Sequence, residues 1–126
     1  MHSPPQLIPK EHAGLYCGRL EEILLTHGER GAERFLGRTL EDVAVRLSRV
    51  ERCWQRGEVG ALRRTARALS EAAGQIGLTT LSRVALDVSQ VTWRNDPAAL
   101  AATVSRLVRV GEASLMRIWD IRDETV

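Results

Sequence analysis

The chain has 126 residues, of which 44% are hydrophobic and 27% are charged, and its net charge is +2. That length predicts one domain and excludes a large multidomain enzyme, and a domain of this size buries enough surface to fold without disulfides. No apolar run is long enough to span a bilayer. Because no charged segment followed by an apolar stretch opens the chain, we expect no secretory signal, no membrane partner and a cytoplasmic location.

The charge pattern gives no indication of a nucleic-acid partner. Seventeen arginines and Lys10 are interleaved with sixteen acidic residues along most of the chain. A phosphate-binding surface would need cations clustered without acids, and the five aromatic residues are too few for a base-stacking platform. We therefore expect no nucleic acid among the partners.

The first part of the chain reads as an arm followed by a helix. Three prolines and a serine within residues 1–10 disfavour a helix and predict a flexible N-terminal arm. Residues 11–126 are then predicted to form a single helical domain. Its first helix would begin at Glu11 and end at His27, because Gly28 suits the C-terminal cap of a helix.

The strongest periodic signal comes next and predicts the second helix, which would end at Gly57. Its apolar residues repeat at intervals of 4, 3, 4, 3 and 4, which is typical of a helix packed at a shallow angle in a bundle. They are Leu36, Leu40, Val43, Leu47, Val50 and Trp54.

Three further helices are predicted from apolar stripes and capping residues. The third covers residues 59–76, and the fourth begins after a cap at Thr79 or Thr80. Asp96 is predicted as the N-cap of the fifth helix, with Pro97 at its first position. We expect Trp54 and Trp119 in the core, and close helix approach would explain Gly111 within the fifth helix.

The predicted fold is therefore all-α. The second to fifth helices would form an antiparallel four-helix bundle, and the first would be an additional N-terminal helix that covers it. No segment alternates with the period of a strand.

Residues suited to catalysis or metal binding are few. The three histidines, His2, His12 and His27, all precede residue 30, so the bundle helices hold none. Cys17 and Cys53 are isolated, and no known metal-ligand spacing or phosphate-binding glycine loop is present. We expect no catalytic residue, no metal and no cofactor.

The third predicted helix carries a recognisable pattern. Gly57-Glu58 precedes it, Ala66 and Leu69 lie within it, Ala72-Ala73 follow, and Gly77 comes after its end. This pattern resembles the histidine-containing phosphotransfer (HPt) domain of bacterial two-component relays, over about residues 30–122. The resemblance implies a four-helix bundle, a role in phosphorelay signalling, and a receiver domain or sensor kinase as partner.

One departure from that family changes the expected chemistry. By the same alignment, Arg67 stands at the position of the phosphorylated histidine, Ser70 at that of a lysine and Glu71 at that of a glycine. An arginine stays protonated at neutral pH and offers no lone pair, so it cannot accept a phosphoryl group. The resemblance therefore implies a pseudo-phosphotransfer protein that binds without chemistry.

The expected binding surface follows from helix geometry. Arg63, Arg67, Glu71 and Gly74 lie about 100–180° from the apolar stripe of the third helix, so they would face solvent or a partner. We expect a partner-binding face made of Arg63, Arg64, Arg67, Ser70, Glu71 and Gly74. An ordinary surface ion pair between Arg67 and Glu71 is an equally consistent interpretation.

The fourth predicted helix has an apolar feature of its own. Leu86 and Trp93 lie off its core stripe, so they would be covered by the first helix or would anchor a partner. A structural homodimer formed through these two residues is the first alternative function. A small all-helical mutase, with arginines clamping a dicarboxylate inside the bundle, is the second, although most arginines lie off the apolar stripes.

Overall fold

A computed structural model of the chain describes residues 17–125, with side chains described for residues 18–120. It contains four α-helices: α1 (Cys17–Gln55), α2 (Val59–Gln75), α3 (Thr79–Val91) and α4 (Pro97–Thr125). No strand occurs between residues 17 and 125, which confirms the all-α prediction. No helix in this part of the chain combines the length and apolar composition needed to cross a membrane. The predicted arm at residues 1–10 lies outside the described residues.

The predicted boundary between the first two helices falls within α1. Gly28 has φ 71° and ψ 175°, so helical geometry is interrupted there and the helix kinks. The element α1 (Cys17–Gln55) therefore consists of two helical segments that meet at Gly28, where the sequence predicts that the first helix ends. The part of the predicted first helix before residue 17 lies outside the described residues.

The turns between the helices follow the sequence signals closely, with one exception. Gly57 and Gly77 have positive φ angles of 71° and 79°, which glycine adopts without strain. The Asp96 Oδ1 accepts a hydrogen bond from the Ala99 backbone N–H at 3.1 Å, which confirms Asp96 as an N-cap. The cap predicted at Thr79 or Thr80 is wrong, because Leu78 holds that position and makes no side-chain capping bond.

The four helices pack in a closed cycle, α1 on α2, α2 on α3, α3 on α4, and α4 on α1. Hydrogen bonds join residue 70 to residue 82 and residue 63 to residue 92, so α2 and α3 are antiparallel. This is the arrangement of a four-helix bundle. The largest fully buried side chains come from all four helices and from the turn between α2 and α3; they are Leu62, Leu69, Ile76, Leu78, Leu81, Leu107, Ile118, Val43, Val50, Val84, Val88 and Val104.

Two tryptophans depart from the predicted core. Trp54 is 37% exposed and Trp119 is 52% exposed, so the prediction that both are buried is wrong. Trp54 is the last residue of the 4-3 repeat, one residue before α1 ends at Gln55. Val50, one turn earlier in the same repeat, is fully buried, so burial along this stripe ends between these two positions.

Gly111 marks the close approach of α4 to α1 that the sequence suggests. A Cβ atom at this position would lie only 2.5 Å from the Leu47 Cδ2 and 2.9 Å from its Cδ1. The isobutyl group of Leu47 therefore occupies the space that any larger residue at position 111 would need, and the glycine accommodates a core residue of α1.

Candidate interaction surface on α2 and α3

The antiparallel register of α2 and α3 brings the two predicted surface features together. Arg63 and Arg67 lie within about 60° of Ser70 around α2, and Leu86 lies about 40° from Ser82 around α3. Trp93, two residues after α3 ends, lies against Arg63. Ser70 and Ser82 are hydrogen-bonded to each other, so both sets lie along the same seam. We define the α2–α3 surface by the eight residues that the sequence singles out: Arg63, Arg64, Arg67, Ser70, Glu71, Gly74, Leu86 and Trp93.

One end of this surface is built around Arg63. Its Nε donates a hydrogen bond to the Thr92 Oγ1 at 2.9 Å, and its Cζ lies 3.5 Å from the centre of the Trp93 ring. Thr92 is held in turn, since its hydroxyl donates to the Ser89 carbonyl at 2.6 Å. A guanidinium stacked on an indole gains a cation–π interaction and loses part of its freedom of motion. Arg63 and Trp93 therefore form a single unit.

The middle of the surface carries exposed charges. Arg64, Arg67 and Glu71 are all exposed. Within the described part of the chain the ion pairs are Arg19 with Glu22 and Arg46 with Asp42. The alternative interpretation of Arg67 and Glu71 as an ion pair is thus wrong for this structure, because the two side chains do not approach within ion-pair distance. Arg67 presents its charge to solvent, as predicted.

Ser70 and Gly74 belong to the packing between the two helices. The Ser70 Oγ donates to the Ser82 carbonyl at 2.8 Å, and the Ser82 Oγ donates to the Ser70 carbonyl at 2.9 Å. At Gly74, the Ser82 Oγ lies 3.7 Å from where a Cβ would stand. The hydroxyl of Ser70 is consequently occupied within the fold, and of the predicted contact residues it offers a partner the least.

Leu86 on α3 and Trp93, two residues after its end, are both exposed. Leu86 is 40% and Trp93 is 72% exposed, so the expectation that the first predicted helix covers them is wrong for its described part. The Nε of Arg19 donates to the Gln75 carbonyl at 2.7 Å. Gln75 lies twelve residues beyond Arg63, about 18 Å along α2. The N-terminal end of α1 is therefore at the opposite end of the surface from Trp93.

Elsewhere the described residues offer little for chemistry. No group of three histidine, cysteine or carboxylate side chains in the described residues could hold a metal ion. The buried polar side chains among residues 18–120 are the hydroxyls of Thr39, Thr65, Ser89 and Ser114. The arginine closest to an interior role is the half-buried Arg117, whose Nε is buried without a hydrogen-bond partner.

Two open grooves lie away from the α2–α3 surface. One, of about 440 Å³, lies between α1 and α4 and is lined by Glu33, Arg34, Gly37, Arg38, Glu41 and Trp119. The other, of about 330 Å³, lies between α3 and α4 and includes Asp87, Arg94 and Arg106. Both carry charges of both signs, so neither selects a ligand of one charge.

Thr92, like Ser82, contacts a residue of the α2–α3 surface and is not indicated by the sequence. It joins Arg63 to the end of α3, and the two positions are 29 residues apart in the chain. No fixed spacing signals such a contact, and only the register of two antiparallel helices could have indicated it.

Comparisons of the chain with protein-family models, with curated proteins and with solved structures find no match in any of the three.

Proposed function

We propose that the chain is a non-catalytic, HPt-like interaction module of cytoplasmic phosphorelay signalling, which docks a receiver or kinase domain through the α2–α3 surface. The observation that carries the proposal is the continuity of this surface. The exposed Arg67 lies about 60° from Ser70 around α2 and the exposed Leu86 about 40° from Ser82 around α3, on the seam that these two serines join, and Arg63 stacks on the exposed Trp93. An apolar anchor beside charged groups is typical of a protein-binding surface. An additional N-terminal helix before Gly28 is part of the same proposal.

The charge of the surface favours an acidic partner. Glu71 is the one acidic residue within α2, against three arginines, and the exposed Arg67 has no ion-pair partner among the described residues. In the relays to which HPt domains belong, the partner receiver domain has an acidic phospho-acceptor pocket. A cationic face of this kind would be attracted to it and would bind it without group transfer.

Phosphotransfer is not part of the proposed function. The guanidinium of Arg67 has no lone pair to offer a phosphoryl group. The described histidine, His27, stacks on Phe35 at 5.2 Å between ring centres. It lies on α1, before the kink at Gly28. It therefore does not stand where the resemblance places a phosphorylated side chain.

The test is a binding measurement by isothermal titration calorimetry. Purified receiver and kinase domains from the organism that encodes the chain are titrated with it, the receivers with and without acetyl phosphate. We expect at least one domain to bind, and Arg67→Glu to weaken binding at least fivefold at low salt, because the substitution reverses a charge facing an acidic surface. Arg49→Glu is the matched control, since Arg49 is exposed on α1 and the change in charge is the same.

Three results would overturn the proposal. They are the absence of binding by any of these domains, equal affinity of the Arg67→Glu variant and the wild type, and stable transfer of ³²P from a labelled receiver to the chain. Raised salt should weaken the wild-type complex, because screening reduces the attraction between exposed charges.

A homodimer through the same apolar residues is the second candidate function, and the 72% exposure of Trp93 favours it. Light scattering across a concentration series distinguishes the two candidates. A dimer that dissociates when Trp93 is replaced by alanine would support the homodimer. A monomer at all concentrations, for both the wild type and the Trp93→Ala variant, would exclude it.

A further inference from the structure

Arg63 is held so that only part of its guanidinium remains available. Its Nε is used by Thr92, and one face of its plane lies on the Trp93 ring. Its terminal Nη1 and Nη2 groups have no hydrogen-bond partner in the described part of the chain. A guanidinium can bind a carboxylate side-on through Nε and one terminal nitrogen, or end-on through both terminal nitrogens. With its Nε occupied, Arg63 retains the end-on mode.

The surroundings of Arg63 strengthen the hydrogen bonds that its two terminal nitrogens can donate to an anion. The indole excludes water from one face of the cation, and a hydrogen bond between charges is stronger where water is excluded. The hydrogen bond to Thr92 and the stacking also order the side chain in advance, so less conformational entropy is lost when a partner binds. A flexible surface arginine such as Arg64 has neither advantage.

The charges around the fork favour an anion. Arg64 is the next residue, and Arg67 lies one turn further along α2. The nearest acids in the sequence are Glu58, the N-cap of α2, five residues and about 8 Å along the helix axis from Arg63, and Glu71, eight residues and about 12 Å away, and neither forms an ion pair with Arg63. On α3, Asp87 lines the groove that faces α4 together with Arg94 and Arg106. No carboxylate of these two helices is paired with Arg63.

We infer that the stacked pair of Arg63 and Trp93 is the specificity-determining contact of the surface, and that it receives a carboxylate side chain of the partner end-on between the two terminal nitrogens. The inference rests on the proposed docking function and deepens it, because it names the chemical group that the partner must present. The indole then covers the apolar carbons of the same acidic side chain or of its neighbour, and the preordered fork fixes the orientation of the complex.

The test compares Arg63→Lys with Arg64→Lys. Both variants keep the positive charge, but only the first loses a planar fork stacked on an aromatic ring. The indole N–H signal of Trp93, assigned by its loss in the Trp93→Phe variant, is followed by NMR while poly-L-glutamate is added. We expect a saturable shift in the wild type and in Arg64→Lys, and an apparent affinity about tenfold weaker in Arg63→Lys. Poly-L-aspartate and inorganic phosphate serve as comparison probes.

The outcomes separate this inference from the proposed function. Equal affinity of the Arg63→Lys and Arg64→Lys variants for poly-L-glutamate overturns the inference, as does an unchanged Trp93 signal in the wild type. Stronger binding of phosphate than of either polycarboxylate also overturns it. The same two variants are measured against any receiver or kinase domain that binds the wild type. If no such domain binds while the glutamate response depends on Arg63, the docking proposal fails and the carboxylate site stands.

Discussion

Two helix seams of this bundle are built in different ways. Along α2 and α3, side chains from the two sides are joined by hydrogen bonds, with Ser70 on Ser82 at one level and Arg63 on Thr92 at another. Between α1 and α4, the contact at Gly111 depends on shape, since Leu47 occupies the space in front of the glycine. Hydrogen bonds between side chains fix the α2–α3 seam, whereas close packing of Leu47 against Gly111 fixes the α1–α4 seam.

The difference shows how one small domain can combine a rigid interior with a surface available for binding. Hydrogen bonds between paired hydroxyls require a particular register, so they align the residues of the α2–α3 surface. Close packing of leucine against glycine requires only that the volumes match, and it holds α4 against α1. A substitution should therefore destabilise the α2–α3 seam through lost hydrogen bonds and the α1–α4 seam through lost or crowded packing.

The largest effect is expected when the shape-dependent seam loses its central side chain. Leu47→Ala removes a side chain that is only 6% exposed and leaves a cavity beside Gly111. We expect the free energy of unfolding to fall by about 2–4 kcal/mol. Urea denaturation followed by circular dichroism measures this. A loss below about 1 kcal/mol would show that the contact between α1 and α4 is looser than the structure indicates.

A smaller effect on stability is expected for Gly111→Ala, and its sign should differ between the wild type and the Leu47→Ala background. Gly111→Ala should lower the stability by about 1 kcal/mol, because crowding against Leu47 outweighs the helix propensity that alanine gains. In the Leu47→Ala background the same change should raise the stability by several tenths of a kcal/mol. Gly37→Ala is the control, since nothing lies within 4 Å of its Cβ position, and it should be stabilising. Equal effects of Gly111→Ala in both backgrounds would contradict this account.

The smallest effect is expected at the hydrogen-bonded seam. Ser82→Ala leaves the half-buried Ser70 hydroxyl without its side-chain partner and removes the side-chain donor to the Ser70 carbonyl. Because the Ser70 Oγ still donates to the Ser82 carbonyl, we expect a loss of only about 0.5 kcal/mol. The double variant Ser70→Ala, Ser82→Ala should cost less than the sum of the two single changes, because no partner is then left unpaired. Strict additivity in thermal or urea unfolding would mean that the two hydroxyls act independently.

Local signals in the sequence are enough to predict most of the helices. Gly57, Gly77 and Asp96 mark turns or caps through their own conformational and hydrogen-bonding preferences, and the structure confirms each of them. Apolar periodicity also identifies the buried stripe of α2. Exposure at the ends of helices was harder to predict, and Trp54 and Trp119 are the clearest cases. A helical wheel treats every turn alike, whereas burial depends on how far the neighbouring helices extend.

The sequence predicts which residues of the candidate site are exposed, but not how residues of different helices contact one another. The exposure of Arg67, Leu86 and Trp93 follows from the periodicity of single helices. The stacking of Arg63 on Trp93 and the use of Ser70 in packing require the register between two helices. That register is a tertiary property, so no spacing within one helix reveals it.

The glycine at position 111 also bears on how relatives of this chain could be recognised. Because a Cβ there would collide with the side chain at position 47, the two positions should vary together in size across homologous sequences. A larger residue at 111 is expected only where 47 is small, and such a pattern of paired substitution would report the contact between the first and last helices without any further structure.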